Sequence, residues 1–231
     1  MDNLKGKWAL VTGSSRGIGQ QIAMGLAQHG VNIIVHGRSE KSVEKTLELL
    51  KKFEVKVEVV SGELNTDNGA QVIVDSVKQK VGAVDILFNN AAIQNEWKEV
   101  YDISMEEWKD LFQINFFSQV IITNGLIQDM VKKGYGRVII TSSGIPDIPQ
   151  MTPYGCSKHA VDKFVFDMAA QLKDTGVTIN ALDPGWLRTD LGGPNGEHPV
   201  ESVLPGALVP VITTNVIPSG TLYSAQNYRG L

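Results

Sequence analysis

The feature that most constrains this chain lies in its first thirty residues. Trp8-Ala9-Leu10-Val11 is an apolar run too short for a helix, and it enters the small-residue cluster Thr12-Gly13-Ser14-Ser15-Arg16-Gly17-Ile18-Gly19. Apolar residues then recur at helical spacing through Ile22, Ala23, Leu26 and Ala27. The pattern is strand, glycine turn, helix. Gly13, Gly17 and Gly19 carry no side chain to keep a ligand off the backbone, and the free N–H groups of a helix N-terminus, reinforced by the helix dipole, attract an anion. A pyrophosphate suits that place, with Ser15, Arg16 and Ile18 completing the turn. Two other readings share these residues: a plain tight turn, and the Gly13-x-Ser15-x-Gly17 pattern of a hydrolase nucleophile elbow. An elbow normally follows several strands, and this turn follows the first. The spacing also departs from G-x-G-x-x-G, because three residues rather than one separate the first two glycines.

Of the 231 residues, 42% are hydrophobic and 20% charged, which suits one α/β domain spanning residues 1–231, with a substrate loop near 186–205. A net charge of -4 argues against a nucleic-acid or anionic-membrane partner held by general electrostatics. Cys156 is the single cysteine, so no intrachain disulfide forms and a reducing, cytoplasmic location is expected. Met1 to Lys7 lack an apolar leader core, and no apolar run reaches membrane-spanning length, so an unprocessed soluble protein is expected. No metal site is expected.

Val31 to Val35 is a second apolar strand, stopping at His36-Gly37-Arg38-Ser39. About twenty residues past the glycine turn, dinucleotide folds read the adenosine ribose. A carboxylate there would bind the 2'-hydroxyl of NAD, whereas Gly37-Arg38 supplies a guanidinium suited to a 2'-phosphate. NADP(H) is therefore favoured over NAD(H), with Arg16 as a second cation; the alternative is a solvated arginine opening the next helix.

Further along, residues 40–53 read as an amphipathic helix, and Val55 to Val60 as a strand ending at Ser61-Gly62-Glu63-Leu64. Residues 66–81 are helical. Val84 to Phe88 is a fourth strand, giving way to Asn89-Asn90-Ala91. A capping box, Ser104-Met105-Glu106-Glu107, opens the next helix. Within it Asn115, a poor helix former, marks a side chain or a backbone distortion with a purpose. Val138 to Ile140 leads to Thr141-Ser142-Ser143-Gly144, and Thr152-Pro153-Tyr154 opens a helix with Thr152 as N-cap and Pro153 at the first position. Val177 to Leu182 ends at Asp183-Pro184-Gly185, residues 192–199 form a mobile Gly/Pro-dense loop, and Gly220 to Tyr223 is a last short strand. Alternating strands and helices imply a doubly wound parallel sheet with helices on both faces. Gly13, Arg38, Asn89, Ser143 and Pro184-Gly185 then fall past carboxyl ends of strands, the edge where such sheets bind ligands.

Tyr154 and Lys158, four residues apart, share a helix face. Lowering a phenol pKa from about 10 by three units takes roughly 4 kcal/mol, which a nearby ammonium in a partly desolvated cleft, helped by the positive nicotinamide of an oxidised cofactor, can supply.

With Thr12-Gly13-x-x-x-Gly17-x-Gly19, Asn89-Asn90-Ala91, Asn115, the serine after the fifth strand, Tyr154-x-x-x-Lys158 and Pro184-Gly185 in this order, the chain resembles the short-chain dehydrogenases/reductases over nearly its whole length. The resemblance implies a Rossmann fold in which Tyr154 transfers the proton, Lys158 lowers its pKa and holds the nicotinamide ribose, and Ser143 orients the substrate oxygen. It further implies that Asn115 holds a water linking the lysine to solvent, that Asn89 to Ala91 support the cofactor cleft, and that Thr189 approaches the nicotinamide carboxamide. Glu63, beside Leu64, stands where the family often has an aspartate near the adenine. Strand register selects Ser143 over Ser142, although the loop to Tyr154 is then shorter than usual. The resemblance also implies a homotetramer or homodimer. The expected function is an NADP(H)-dependent oxidoreductase interconverting a small carbonyl compound and its alcohol; the competing readings are a dinucleotide-sensing binding protein without turnover and, third, a serine hydrolase on Ser15 with His29, His36, His159 or His198 as base.

Overall fold

The computed structural model describes residues 4–213 and 216–230; the leader expectation, which rests partly on Met1 to Asn3, falls partly outside them. Strands and helices alternate as β1 (Trp8–Val11), α1 (Gly17–Gln28), β2 (Asn32–Gly37), α2 (Glu40–Leu50), β3 (Val57–Ser61), α3 (Asp67–Val81) and β4 (Ile86–Asn89). Two further helices, α4 (Met105–Phe112) and α5 (Ser118–Lys133), precede β5 (Gly136–Thr141), α6 (Thr152–Gln171) and β6 (Val177–Asp183). Two-residue strands β7 (Leu187–Arg188) and β8 (His198–Pro199), a short α7 (Val209–Ile212) and β9 (Leu222–Ser224) complete the chain.

The large sheet is parallel throughout, in the order β3-β2-β1-β4-β5-β6-β9. The chain winds outward from β1 to β3, returns to β4 on the other side of β1, and winds outward again. That reversal opens a crevice at the carboxyl ends of β1 and β4. Within a strand, side chains alternate between two cores: Ala9 and Val11 join α1, α2 and the C-terminal segment, while Leu10 joins α3, α5 and α6. Both faces of the central strands are buried, which is why β1 and β4 read as apolar runs, whereas the edge strand β3 is only partly buried and alternates.

Three expectations are corrected. Residues 192–199 are not a free loop: β7 pairs with β8, Trp186 Nε1 donates to Gly192 O at 2.8 Å, and Arg188 donates to Gly196 O at 2.9 Å. Such pinning needs no periodic pattern, so sequence alone does not show it. Met151, not Thr152, is the N-cap of α6. The Thr152 hydroxyl donates instead to Pro149 O at 2.6 Å, closing a 3-10 turn that shifts the helix start by one residue. The last strand begins at Leu222 rather than Gly220.

His36 is the one titratable side chain of β2, and it is buried. Its Nδ1 accepts from Gly13 N at 3.0 Å, so the proton sits on Nε2 and is donated to Gly62 O at 3.1 Å. Burial pushes its pKa down to about 4. A folded value below the unfolded 6.5 means that the contribution is complete above pH 6.5 and is lost as pH falls through 4, about 3 kcal/mol in all. Urea unfolding across this range should show that loss in the wild type and not in His36→Asn, whose amide oxygen replaces Nδ1. Equal pH slopes in the two proteins contradict this role.

Candidate active site

The crevice is built first by the glycine turn. Gly13 and Gly17 adopt φ of +63° and +59°, a region L side chains avoid. A β-carbon on Gly13 would lie 2.9 Å from Ala91 Cα, and one on Gly19 would run into Gly13 O and come within 2.7 Å of Asn90 Nδ2. Above Gly17 the nearest atoms are those of Thr189, at 3.7 Å and beyond. The turn is held from behind. Thr46 Oγ1 donates to Ser14 O at 2.8 Å and receives Gln20 Nε2 at 2.9 Å, while Ser14 Oγ accepts from His36 N at 2.9 Å. This cradle fits a dinucleotide pyrophosphate, because its glycines leave backbone where side chains would stand. His36 has both ring nitrogens engaged by backbone, so it is no base for Ser15.

Thr12 ties this turn to β4. Its Oγ1 accepts from Asn90 N at 2.9 Å and Ala91 N at 3.1 Å, and Asn90 Nδ2 donates back to Thr12 O at 3.1 Å. Asn89, fully buried, donates to Thr123 Oγ1 at 2.9 Å and to Gln119 O at 3.2 Å, so it braces α5 rather than lining the crevice. Gln20 and Thr46 were absent from the expected site, Thr12 entered it only as the first residue of the glycine motif, and His36 only as a candidate base. The sequence signal of Gln20 and Thr46 was polarity inside an amphipathic helix.

Between α4 and α5 the helix widens into a π turn, Gln113–Phe117, centred on Asn115. The backbone distortion anticipated there is present. Asn115 is buried; its Oδ1 accepts from Ile93 N at 2.9 Å, and its Nδ2 donates to Ile93 O at 2.8 Å and Ser157 Oγ at 3.2 Å. That leaves its side chain no free donor.

On α6, Tyr154, Ser157 and Lys158 are buried on one face, whereas Cys156 is exposed on another. The Tyr154 ring packs with Leu111 and Met151. Lys158 Nζ lies 5.6 Å from the Tyr154 ring centroid and donates to Thr141 O at 2.8 Å. Lys158 does not by itself lower the phenol pKa. Burial pushes Tyr154 up to about 12, hydrogen bonding with Ser143 pulls it the other way, and the Asp183 carboxylate adds to the rise. Lys158, engaged by a carbonyl, is itself pushed down to about 8 by complete burial, against the pull of Asp162.

The two serines separate cleanly. Ser142 is buried and donates to Asp162 Oδ1 at 2.5 Å, whereas Ser143 stands on the crevice side with Tyr154, its Oγ accepting from Ile145 N at 3.2 Å. Ser143→Ala should therefore lower kcat about a hundredfold with little change in melting temperature. Ser142→Ala should do the reverse, costing about 1–3 kcal/mol by leaving Asp162 short of a partner. Paired kinetics and thermal melts check this, and the opposite ranking contradicts it.

The loop after β6 closes the far side. Gly185 takes φ +81°, its N–H donates to Asp183 Oδ1 at 2.9 Å, and Pro184 O accepts from Gln226 Nε2 at 2.6 Å. Thr189 reaches Gly17, and Asp190 pairs with Arg16 at 2.6 Å across the mouth. Both charges are largely exposed, so that pair is weak. Arg38 is exposed just past β2 and has no ion-pair partner among the described residues. Glu63 is exposed past β3, and the neighbouring Leu64 is buried, its carbonyl accepting Ser118 Oγ at 2.6 Å. The structure thus gathers the glycine turn, Asn90, Ala91, Ser143, Tyr154, Lys158 and Thr189 around one crevice, with Arg38 and Glu63 at the rim. Ile18 lies half-buried at the start of α1.

A phenol, a hydroxyl and a buried ammonium beside a side-chain-free anion cradle define a nicotinamide-type oxidoreductase site. Residues 7–199 match the family described as short chain dehydrogenase, and the chain belongs to that family. It is 34% identical over 184 residues, 79% of this chain and 69% of the relative, to the uncharacterized oxidoreductase YvrD of Bacillus subtilis. It is 31% identical to the 3-oxoacyl-[acyl-carrier-protein] reductase FabG of Aquifex aeolicus, over 81% of this chain and 77% of the relative. Its fold matches a gluconate 5-dehydrogenase of Burkholderia cenocepacia, solved with NADP and tartrate, with a TM-score of 0.82 at 23% identity over 96% of this chain and 94% of that one. The protein is a short-chain oxidoreductase.

Proposed function

We propose that this protein interconverts a small carbonyl compound and its secondary alcohol with NADP(H), using Tyr154 as the proton donor in the reducing direction. The observation that carries the reading is the convergence of Ser143, Tyr154 and Lys158 at the carboxyl edge of the sheet beside the glycine turn. The dinucleotide supplies the hydride. Backbone of Gly13 to Gly19 and Asn90 to Ala91 holds it, and Lys158 and Thr189 face its nicotinamide end. At neutral pH the phenol, near 12, keeps its proton until the developing alkoxide takes it, while the Ser143 hydroxyl steadies that oxygen. A sensor without turnover has no need of a fully buried lysine beside a tyrosine, so the enzymatic reading is preferred.

NADP(H) is supported by Arg38, exposed at the rim and without an ion-pair partner among the described residues, and by the NADP bound in related folds. Relatives that act on 3-oxoacyl groups and on gluconate suggest a ketone, sugar or acyl substrate. The exposed Phe117 and Phe166, beside α5 and on α6, suit a homo-oligomer built on those helices, and the lone cysteine suits the cytoplasm. Among the described residues no helix is long and apolar enough to cross a membrane.

Fluorescence titration with both reduced cofactors tests the cofactor assignment. Wild type should bind NADPH about ten- to a hundredfold more tightly than NADH, and Arg38→Ala should erase most of that margin. Equal affinities in the wild type contradict it. Gly37→Asp is a poor companion variant: a β-carbon at 37 would run into Ser42 Oγ and lie 2.8 Å from Val43 Cγ1, disturbing the cap of α2.

A further inference from the structure

Asp183 ends β6 and contributes a carboxylate that the proton-transfer scheme does not use. Its Oδ1 is fixed by the Gly185 N–H at 2.9 Å. Its Oδ2 lies against Gly144, the residue after Ser143: a β-carbon on Gly144 would stand 2.8 Å from it. Gly144 is exposed and Asp183 is half-buried, so no side chain stands between the loop after Ser143 and the carboxylate. Among the described residues no lysine, arginine or histidine lies within ion-pair distance of Asp183. The nearby titratable groups that feel its charge, Tyr154 and Asp162, supply no positive charge to balance it. A negative charge with no ion-pair partner among the described residues is therefore held beside the residue that follows Ser143 and within electrostatic reach of Tyr154.

We propose that Asp183 sets the substrate range of this site, admitting carbonyl compounds that are neutral or carry a hydroxyl or amino donor beside the reacting carbon and excluding those whose carbonyl adjoins a carboxylate or phosphate. A charge so placed repels an anionic neighbour of the carbonyl and accepts a hydrogen bond from a donor there. The inference deepens, and rests on, the reading of Tyr154 as the proton donor of a carbonyl reductase. It is separable from a purely structural role. An asparagine at 183 keeps an oxygen for the Gly185 N–H and loses only the charge.

The test uses NADPH and two matched α-keto compounds, the phenylglyoxylate anion and its neutral methyl ester, with kcat/KM measured for wild type, Asp183→Asn and Asp147→Asn. Asp147 is an exposed carboxylate on the loop after β5 and serves as the control. The ester-to-anion ratio should fall at least about tenfold in Asp183→Asn, through a gain on the anion, and stay within about twofold of wild type in Asp147→Asn. Asp183→Ser, which keeps a hydroxyl acceptor for Gly185, should show the same fall and covers the case in which the asparagine variant does not fold. An unchanged ratio in the charge-removed variant overturns the inference while leaving carbonyl reduction intact. If wild type reduces neither compound nor any other carbonyl offered with NADPH, the underlying reading fails and the inference falls with it.

Discussion

Tyr154→Phe should lose at least about a thousandfold in kcat while its NADPH dissociation constant stays within about twofold of wild type. The substitution removes one oxygen. The ring, buried against Leu111 and Met151, keeps its packing, so α6 and the crevice wall keep their shape. The hydroxyl is also the phenolic proton source that hydrogen bonds with Ser143. Removing a positioned general acid costs on the order of 100- to 10,000-fold, and here the remaining groups cannot substitute. Lys158 is committed to Thr141 O and sits behind the ring. Thermal stability should be unchanged or slightly higher, because a buried hydroxyl is replaced by hydrogen. Steady-state rates, a cofactor titration and a melt on the same preparation separate loss of chemistry from loss of fold. Activity near wild type contradicts the proton-donor role.

Lys158→Met should lower kcat/KM at least about a hundredfold and weaken NADPH binding, yet leave the free protein as stable as wild type or more so. A lysine fully buried and pushed from 10.5 down to about 8 carries a cost of about 3 kcal/mol at neutral pH. The sign follows from linkage: between pH 8 and 10.5 the unfolded chain binds the extra proton, so the cost is complete below 8 and fades as pH rises. Methionine fills a similar volume without charge and removes that cost. Against it stands the loss of the bond to Thr141 O, about 1–3 kcal/mol. A net change between zero and about 2 kcal/mol of stabilisation is expected from denaturant unfolding. Marked destabilisation together with normal cofactor affinity would show instead that the lysine is an ordinary structural residue.

The central strands were legible in the sequence because both of their faces are buried, so β1 and β4 are apolar runs ended by a turn residue, while the edge strand β3 was legible by alternation, with Glu58 between Val57 and Val59. The glycine turn was legible for a different reason: Gly13 and Gly19 stand where backbone meets backbone, and Gly13 and Gly17 take a positive φ. Register also carried Ser143. Counting along β5 puts Ser142 against α6 and Ser143 past the strand end, and the hydrogen bond to Asp162 shows what holds Ser142 there. Other parts were not readable. Nothing in a lone histidine of β2 says that it spans Gly13 and Gly62. The pairing of Leu187–Arg188 with His198–Pro199 is too short to have a period. That Lys158 leaves the phenol pKa raised was not readable, because helical spacing places the lysine side chain near the ring without saying where its ammonium points, and Thr141 O claims it.

The most direct measurement of the central claim is a single turnover with NADPH carrying deuterium at both C4 positions of the nicotinamide and a neutral ketone such as methyl phenylglyoxylate, followed by mass spectrometry of the product. The account predicts deuterium on the carbinol carbon of a secondary alcohol with wild type, and no deuterated alcohol at the same time point with Tyr154→Phe, although both proteins bind the cofactor. Cofactor binding without deuterium transfer to any carbonyl compound by wild type, or equal transfer by Tyr154→Phe, would contradict it.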